Sequence, residues 1–153
     1  MSKKILLVDD DTDDTELFLE SIREIDDSVV CHCAPNGREA LHRLKEIDSP
    51  DLIFLDINMP IMDGWQCLAR LKSHDDLKHI PVIMYSTSSH QKDIDKAFEM
   101  GAVCFFVKPY EFKELKTALS AIVANLEGDP IKSIRGLTTK SLVCPDVDLS
   151  HSQ

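Results

Sequence analysis

The sequence predicts an open, doubly wound α/β sheet in a single domain, and three observations predict it. Short, continuously apolar runs recur five times, and segments of helical period alternate with them. Charged or hydroxyl residues stand at the C-terminal ends of four of those runs. A chain of 153 residues with 43% hydrophobic side chains has material for one sizeable core.

The elements follow in order. Residues 5–8 form the first strand, ending at Asp9-Asp10, and the next segment repeats Leu17, Ile22 and Ile25 at helical spacing. Residues 29–34 are a weaker second strand. They contain Cys31-His32-Cys33, which could be a metal-ligand cluster, but alternate strand residues share a face, so two buried cysteines explain it as well. Asn36 with Glu39 has the spacing of a helix-capping pair, followed by Ala40, Leu41, Leu44 and Ile47. The third strand, residues 52–55, is apolar throughout and ends at Asp56, before a helix marked by Trp65, Leu68 and Leu71. The fourth, residues 82–85, runs into Ser86, and Ser88 with Gln91 predicts another capped helix carrying Ile94, Ala97 and Phe98 and stopping at Gly101. Residues 102–107 form the fifth strand before Lys108; Trp65 and the pair Phe105-Phe106 are expected in the core. The last helix carries the clearest stripe, Phe112, Leu115, Leu119, Ile122, Val123 and Leu126.

Strands that are apolar at every position are covered on both faces, which implies a parallel sheet with right-handed crossovers. A closed eight-stranded barrel needs far more chain. The expected architecture is therefore a five-stranded parallel (βα)5 sheet in the flavodoxin-like order 2-1-3-4-5. It occupies residues 1–125. Gly128-Asp129-Pro130 ends the last helix, and residues 126–153 lack strong periodicity, so they are expected to be a mobile tail with no output domain.

Composition excludes several function classes. The 27 Asp and Glu against 17 Lys and Arg give a net charge of −10, which opposes direct binding to nucleic acid or to an anionic membrane. No apolar run approaches the roughly 18 residues of a membrane span. The four apolar residues after Lys3-Lys4 are too few for a secretory signal, so a cytoplasmic location is expected. Five cysteines without CxxC pairing predict reduced thiols.

In an open α/β sheet the chemistry gathers beyond the carboxyl ends of the strands. Those ends supply Asp9 and Asp10, Asp56, Ser86 and Lys108. Three adjacent carboxylates repel one another unless a cation neutralises them, and a hard divalent ion, most plausibly Mg²⁺, suits oxygen ligands. With Mg²⁺ and Lys108 the three carboxylates sum to zero, a setting that tolerates an incoming phosphoryl group with Lys108 and the Ser86 hydroxyl as donors. Asp56, at the end of the central strand, is the candidate nucleophile for an aspartyl phosphate. Taken singly, each residue has a simpler role: Asp11, Asp13 and Asp14 suit a solvated helix start, Lys108 a surface turn, and Ser86 a loop hydrogen bond. Joint placement at one rim selects the functional reading.

The blocks Leu6-Leu7-Val8-Asp9-Asp10, Asp56-Ile57-Asn58-Met59-Pro60-Ile61-Met62-Asp63-Gly64, Ser86 and Val107-Lys108-Pro109 closely resemble the receiver domain of two-component response regulators. The resemblance spans residues 3 to about 125. It implies that Asp56 accepts a phosphoryl group from a phosphohistidine on a sensor histidine kinase or a histidine phosphotransfer protein. It also implies that Asp9, Asp10 and Asp56 hold the metal together with the backbone carbonyl of Asn58, and that Ser86 and Lys108 contact the phosphoryl oxygens. A switch is implied as well: Ser86 moves toward the phosphate, Phe105 turns inward, and the surface of the fourth helix, fifth strand and fifth helix changes to engage a downstream protein target or a second copy in a homodimer. Phe105 lacks the hydroxyl of the common tyrosine, so packing must carry the coupling. The family further implies a cis Lys108–Pro109 peptide. A narrower likeness, to small stand-alone regulators associated with bacterial phytochromes, rests on residues 73–80 and the Ser86-Thr87-Ser88-Ser89 segment, and no light signalling is assigned from it.

Such a module assists its own phosphotransfer and dephosphorylation but turns over no separate substrate. An aspartate-nucleophile phosphohydrolase would want a second Asp two residues after the nucleophile, where this chain has Asn58. A degenerate receiver that binds partners without phosphorylation would not need the intact set of Asp9, Asp10, Asp56, Ser86 and Lys108. Nucleotide binding lacks both glycine-rich phosphate motifs.

Overall fold

The computed structural model describes residues 3–126 and 141–145. Strands β1 (Lys4–Val8), β2 (Val30–Ala34), β3 (Leu52–Leu55), β4 (Val82–Ser86) and β5 (Cys104–Val107) alternate with helices α1 (Thr12–Ile25), α2 (Gly37–Leu44), α3 (Gly64–Ser73), α4 (Gln91–Glu99) and α5 (Phe112–Ala124). These five strands are parallel in the expected order 2-1-3-4-5.

The two-residue period of the strands divides the core. Ile5, Leu7, Leu52, Phe54, Ile83, Tyr85 and Phe106 face the layer of α1 and α5, where they meet Phe18, Ile22, Leu115, Leu119 and Ile122. The intervening residues Leu6, Val8, Ile53, Leu55, Met84 and Phe105 face the other layer, packed with Ala40 and Leu44 of α2, Leu68 and Leu71 of α3, and Ile94 and Ala97 of α4. Strands buried on both faces hold their C-terminal ends rigidly, which fixes the rim where the charged residues emerge. Phe18, Phe54, Tyr85 and Phe106 form an aromatic cluster beneath that rim, with Phe18 edge-on to Phe54 at a centroid distance of 4.9 Å.

Side-chain caps open α1, α2 and α3, whereas α4 and α5 begin without one. Asn36 accepts from the Glu39 amide as expected, and Asp63 with Gln66 forms a reciprocal capping box on α3. At α4 the expected Ser88 cap does not form. The N-cap is His90, without a side-chain bond; the Ser88 hydroxyl instead accepts from the His90 amide at 3.3 Å and donates to Asp93 at 2.6 Å.

The structure corrects three further expectations. A sixth strand, β6 (Leu142–Val143), joins the sheet antiparallel to β5, so the sheet has six strands rather than five. Most of the tail expected to be mobile lies outside the described residues, but residues 141–145 contribute this strand. Cys104 and Cys144, expected as reduced thiols, form a disulfide, whereas Cys31, Cys33 and Cys67 are free. Strand pairing brings together two cysteines separated by 40 positions, a proximity that spacing does not reveal. The expected cis Lys108–Pro109 peptide is also absent, every peptide bond among the described residues being trans. Trans is the lower-energy form of an X–Pro bond, and Lys108 reaches its partners from it.

Candidate functional site

The ladders of the central strands continue one residue past their apolar runs. Val8 pairs with Leu55, and the Asp56 amide donates to the Val8 carbonyl at 2.9 Å, which sets Asp9 and Asp56 side by side. The Asp9 amide in turn donates to the Ala34 carbonyl at 3.0 Å. Both side chains are buried, Asp9 at 4% and Asp56 at 7% exposure, whereas Asp10 is open to solvent. Ligand oxygens of Asp9, Asp10 and Asp56 all lie within 4.8 Å of one another.

Lys108 closes the cluster from the opposite side. Ser86 pairs with Val107, and the Lys108 amide donates to the Ser86 carbonyl at 2.7 Å, which aims the side chain along the rim toward β1 and β3. Its Nζ lies 2.8 Å from Asp9 Oδ2, 2.9 Å from Asp14 Oδ2 and 3.4 Å from Asp56 Oδ2. The Tyr85 ring supports the same ammonium, with its centroid 5.1 Å away.

Asp14 is the residue that the sequence reading placed elsewhere. It was expected to be a solvated helix-start acid, and its amide does bond Asp11 Oδ1 at 3.0 Å, yet its carboxylate turns inward to Lys108. A usable signal was its place in the first turn of the helix that starts at this rim, three residues past the Asp11 cap. Tyr85 was legible only as a core residue.

Backbone donors orient the carboxylates. The Ile57 amide donates to Asp56 Oδ1 at 2.8 Å, and the Asp11 amide to Asp9 Oδ1 at 3.0 Å, leaving the Oδ2 atoms for Lys108. The β3–α3 connection is pulled tight beneath Asp56 by the Gly64 amide, which donates to the Ile57 carbonyl at 2.8 Å. A Cβ on Gly64 would lie 2.1 Å from the Asp56 carbonyl oxygen, so only glycine fits. Asn58 sits exposed in this loop, two residues past Asp56.

Burial pushes the Asp56 carboxyl up to about 7, because the attraction of Lys108 only partly offsets lost hydration and the adjacent Asp9 adds repulsion. Burial alone would lower the Lys108 ammonium, but the carboxylates of Asp9, Asp56 and Asp14 outweigh it and hold the lysine above its ordinary value. Three carboxylates share one ammonium, and Asp10 adds a fourth negative charge beside Asp9 and Asp56. Hard oxygen donors with excess negative charge fit a divalent cation, and Asp9, Asp10 and Asp56 are the residues placed to hold one.

The two switch candidates are also placed. Ser86 is buried, and its Oγ accepts from the Ser88 amide at 3.1 Å rather than bonding Asp56. Phe105 is fully buried in the α2–α3–α4 layer, an inward position. Cys31 and Cys33 both pack against the α1–α5 layer, in keeping with core packing.

Comparison with known proteins bears on this geometry. Residues 5–120 match the family model of the response regulator receiver domain. The chemotaxis protein CheY of Halobacterium salinarum is 34% identical over 125 residues, covering 80% of this chain and 98% of that protein. Three other curated relatives are longer, and the chain spans 30–54% of their length. Among solved structures, the phosphorylated cyanobacterial phytochrome response regulator RcpA superposes with a TM-score of 0.73 at 32% identity, covering 80% of this chain and 91% of that one. The Mn²⁺-bound form of response regulator Rcp1 gives 0.71 at 29% identity, covering 91% and 99%.

Proposed function

The chain belongs to the response regulator receiver domain family, and from that premise we propose that residues 1–125 form the receiver unit and that Asp56 is its phospho-acceptor in a Mg²⁺-dependent reaction. The observation that carries the proposal is the placement of Asp56 at the end of β3 beside Asp9, with the Lys108 ammonium 3.4 Å from Asp56 Oδ2. Receiver domains are signalling modules, so the expected outcome of the reaction is a changed surface rather than a released product.

The residues divide the work. With Oδ1 held by the Ile57 amide, Oδ2, 3.4 Å from the Lys108 ammonium, is the oxygen placed to attack phosphorus. The bond to the donor nitrogen of a phosphohistidine breaks as the Asp56–phosphorus bond forms, and the departing imidazole takes up a proton. Lys108 stays charged throughout and stabilises the negative charge on the phosphoryl oxygens. Ser86 is the hydroxyl at the end of the neighbouring strand, ready to exchange its bond with the Ser88 amide for a phosphoryl oxygen. A divalent cation on Asp9, Asp10, Asp56 and the Asn58 carbonyl supplies charge neutralisation there; the excess of carboxylates supports it, and Mg²⁺ is the ion we propose.

The donor is a sensor histidine kinase or a histidine phosphotransfer protein, acting in the cytoplasm. Inward seating of Phe105 against α4 supports coupling by packing from Ser86 to the surface of α4, β5 and α5, where a downstream protein or a second copy would dock. Intact-mass measurement after incubation with a small acyl phosphate and Mg²⁺ is expected to show one added phosphoryl group. Asp56→Asn and chelation are each expected to abolish it. An unchanged mass with both the small donor and cognate kinases would overturn the proposal.

A further inference from the structure

We propose that Cys104 and Cys144 form a reversible redox site whose disulfide latches residues 141–145 of this chain over the outer edge of β5. The pairing of β5 and β6 makes the bond a property of strand register rather than a chance approach of two thiols. Phe105 stands opposite Val143 and Phe106 opposite Leu142, so Cys104 stands opposite Cys144. The Val107 amide donates to the Ser141 carbonyl at 2.9 Å, making that pair a hydrogen-bonded one. Antiparallel pairs alternate in type, which puts Cys104 and Cys144 at a non-hydrogen-bonded pair, where Cα atoms approach to about 4.5 Å. Their Cα separation is 4.5 Å.

The strand beneath the latch is short. β6 has two residues; Leu142 is buried, Val143 and Cys144 pack partly buried against the two layers of the core, and the Ser141 hydroxyl donates to Glu114 at 2.9 Å. Ordering five residues costs backbone entropy, which a covalent link to the rigid β5 offsets. The bond supplies that link.

Accessibility sets the order of chemical events. Cys104 is fully buried, whereas Cys144 is partly exposed, so a low-molecular-weight thiolate such as glutathione meets the Cys144 sulfur first. It forms a mixed disulfide there while Cys104 leaves as thiolate and takes a proton. A second glutathione then attacks the mixed disulfide, releasing Cys144 as a thiol and producing glutathione disulfide. Two electrons pass from two glutathiones to the protein disulfide, and glutathione disulfide reverses the sequence. Release of the latch leaves the edge N–H and C=O groups of β5 without their partner strand.

Hydrogen exchange on the full chain, equilibrated in glutathione disulfide or in dithiothreitol, tests the latch. No phosphodonor or divalent cation is present, so the outcome is separate from that of phosphoryl acceptance. In the oxidised protein, denaturing alkylation should label three cysteines, and the amides of Val143, Phe105 and Val107, which the register pairs across β5 and β6, should be protected. After reduction five should be labelled, and those amides should exchange at least tenfold faster while Ile5 to Val8 remain protected. Cys144→Ser should exchange rapidly under both conditions. Five labelled cysteines in glutathione disulfide, equal protection in both redox states, or retained protection in Cys144→Ser would each overturn the proposal.

Discussion

Burial beside Asp9 raises the Asp56 carboxyl to about 7 from an ordinary 3.8, and this fixes the sign of a pH effect. Between those values the folded chain retains a proton that the unfolded chain has lost, so metal-free stability falls as pH rises through the window. The expected loss relative to Asp56→Asn is on the order of 2 kcal/mol between pH 4 and pH 8, allowing for screening at the rim. Urea unfolding of both proteins with chelator present checks this, and a difference that grows in favour of wild type at high pH would contradict it. Lys108 makes a contrasting prediction. Removing its ammonium leaves Asp9, Asp14 and Asp56 without their shared cation, so Lys108→Ala should cost about 3 kcal/mol without metal. Lys116→Ala, which breaks a half-exposed pair with Glu24, should cost less than about 1 kcal/mol.

Among the elements, the β3–α3 connection is the most constrained by local geometry. Ile61 has φ of 70° and is 72% exposed, a β-branched residue in the left-handed region. A hydrogen bond from the Met62 amide to the Pro60 carbonyl at 2.7 Å closes the three-residue turn around it. Ile61→Gly should therefore stabilise the fold by about 0.5–1 kcal/mol, the backbone relief exceeding the entropy that glycine adds to the unfolded chain. Gly64→Ala, driven into the Asp56 carbonyl, should destabilise by more than about 2 kcal/mol. At α4 the uncapped start invites the opposite change. His90→Asn, which adds a side-chain acceptor, should raise stability by about 1 kcal/mol, and thermal unfolding of the three variants would rank them.

At the scale of the whole molecule, the net charge of −10 has two parts with different responses to ions. Diffuse surface charge is screened by monovalent salt, whereas the Asp9–Asp10–Asp56 cluster should bind a divalent ion with stabilisation growing as RT ln(1 + [Mg²⁺]/Kd). Mg²⁺ should thus raise the melting temperature beyond an NaCl control of matched ionic strength. Asp9→Asn with Asp10→Asn should remove that excess and keep the salt response. Equal gains from both salts would show that the cluster holds no ion.

Local chemistry made much of this legible in advance. Apolar runs at residues 5–8, 52–55 and 82–85 require burial on both faces, and that requirement dictates a parallel sheet and the rim where Asp9, Asp56, Ser86 and Lys108 meet. Asn36 and Glu39 mark a helix start because capping is a bond between near neighbours in the chain. What depended on distant partners was not legible. Asp14 looks like any acid in a first helical turn until Lys108, 94 positions away, reaches its carboxylate. Ser88 fails for a different reason: it matches a cap pattern, but local competitors, the His90 amide and the Asp93 carboxylate, take its hydroxyl. Cys144 lies in a stretch without strong periodicity, and a two-residue strand is too short to leave a pattern. Sequence by itself determined the sheet, its helices and the chemistry of the rim, because burial and capping act through composition and near neighbours. Tertiary structure alone decided which carboxylates share Lys108, which cysteines pair and what covers the edge of β5, because those contacts depend on three-dimensional proximity between residues far apart in the chain.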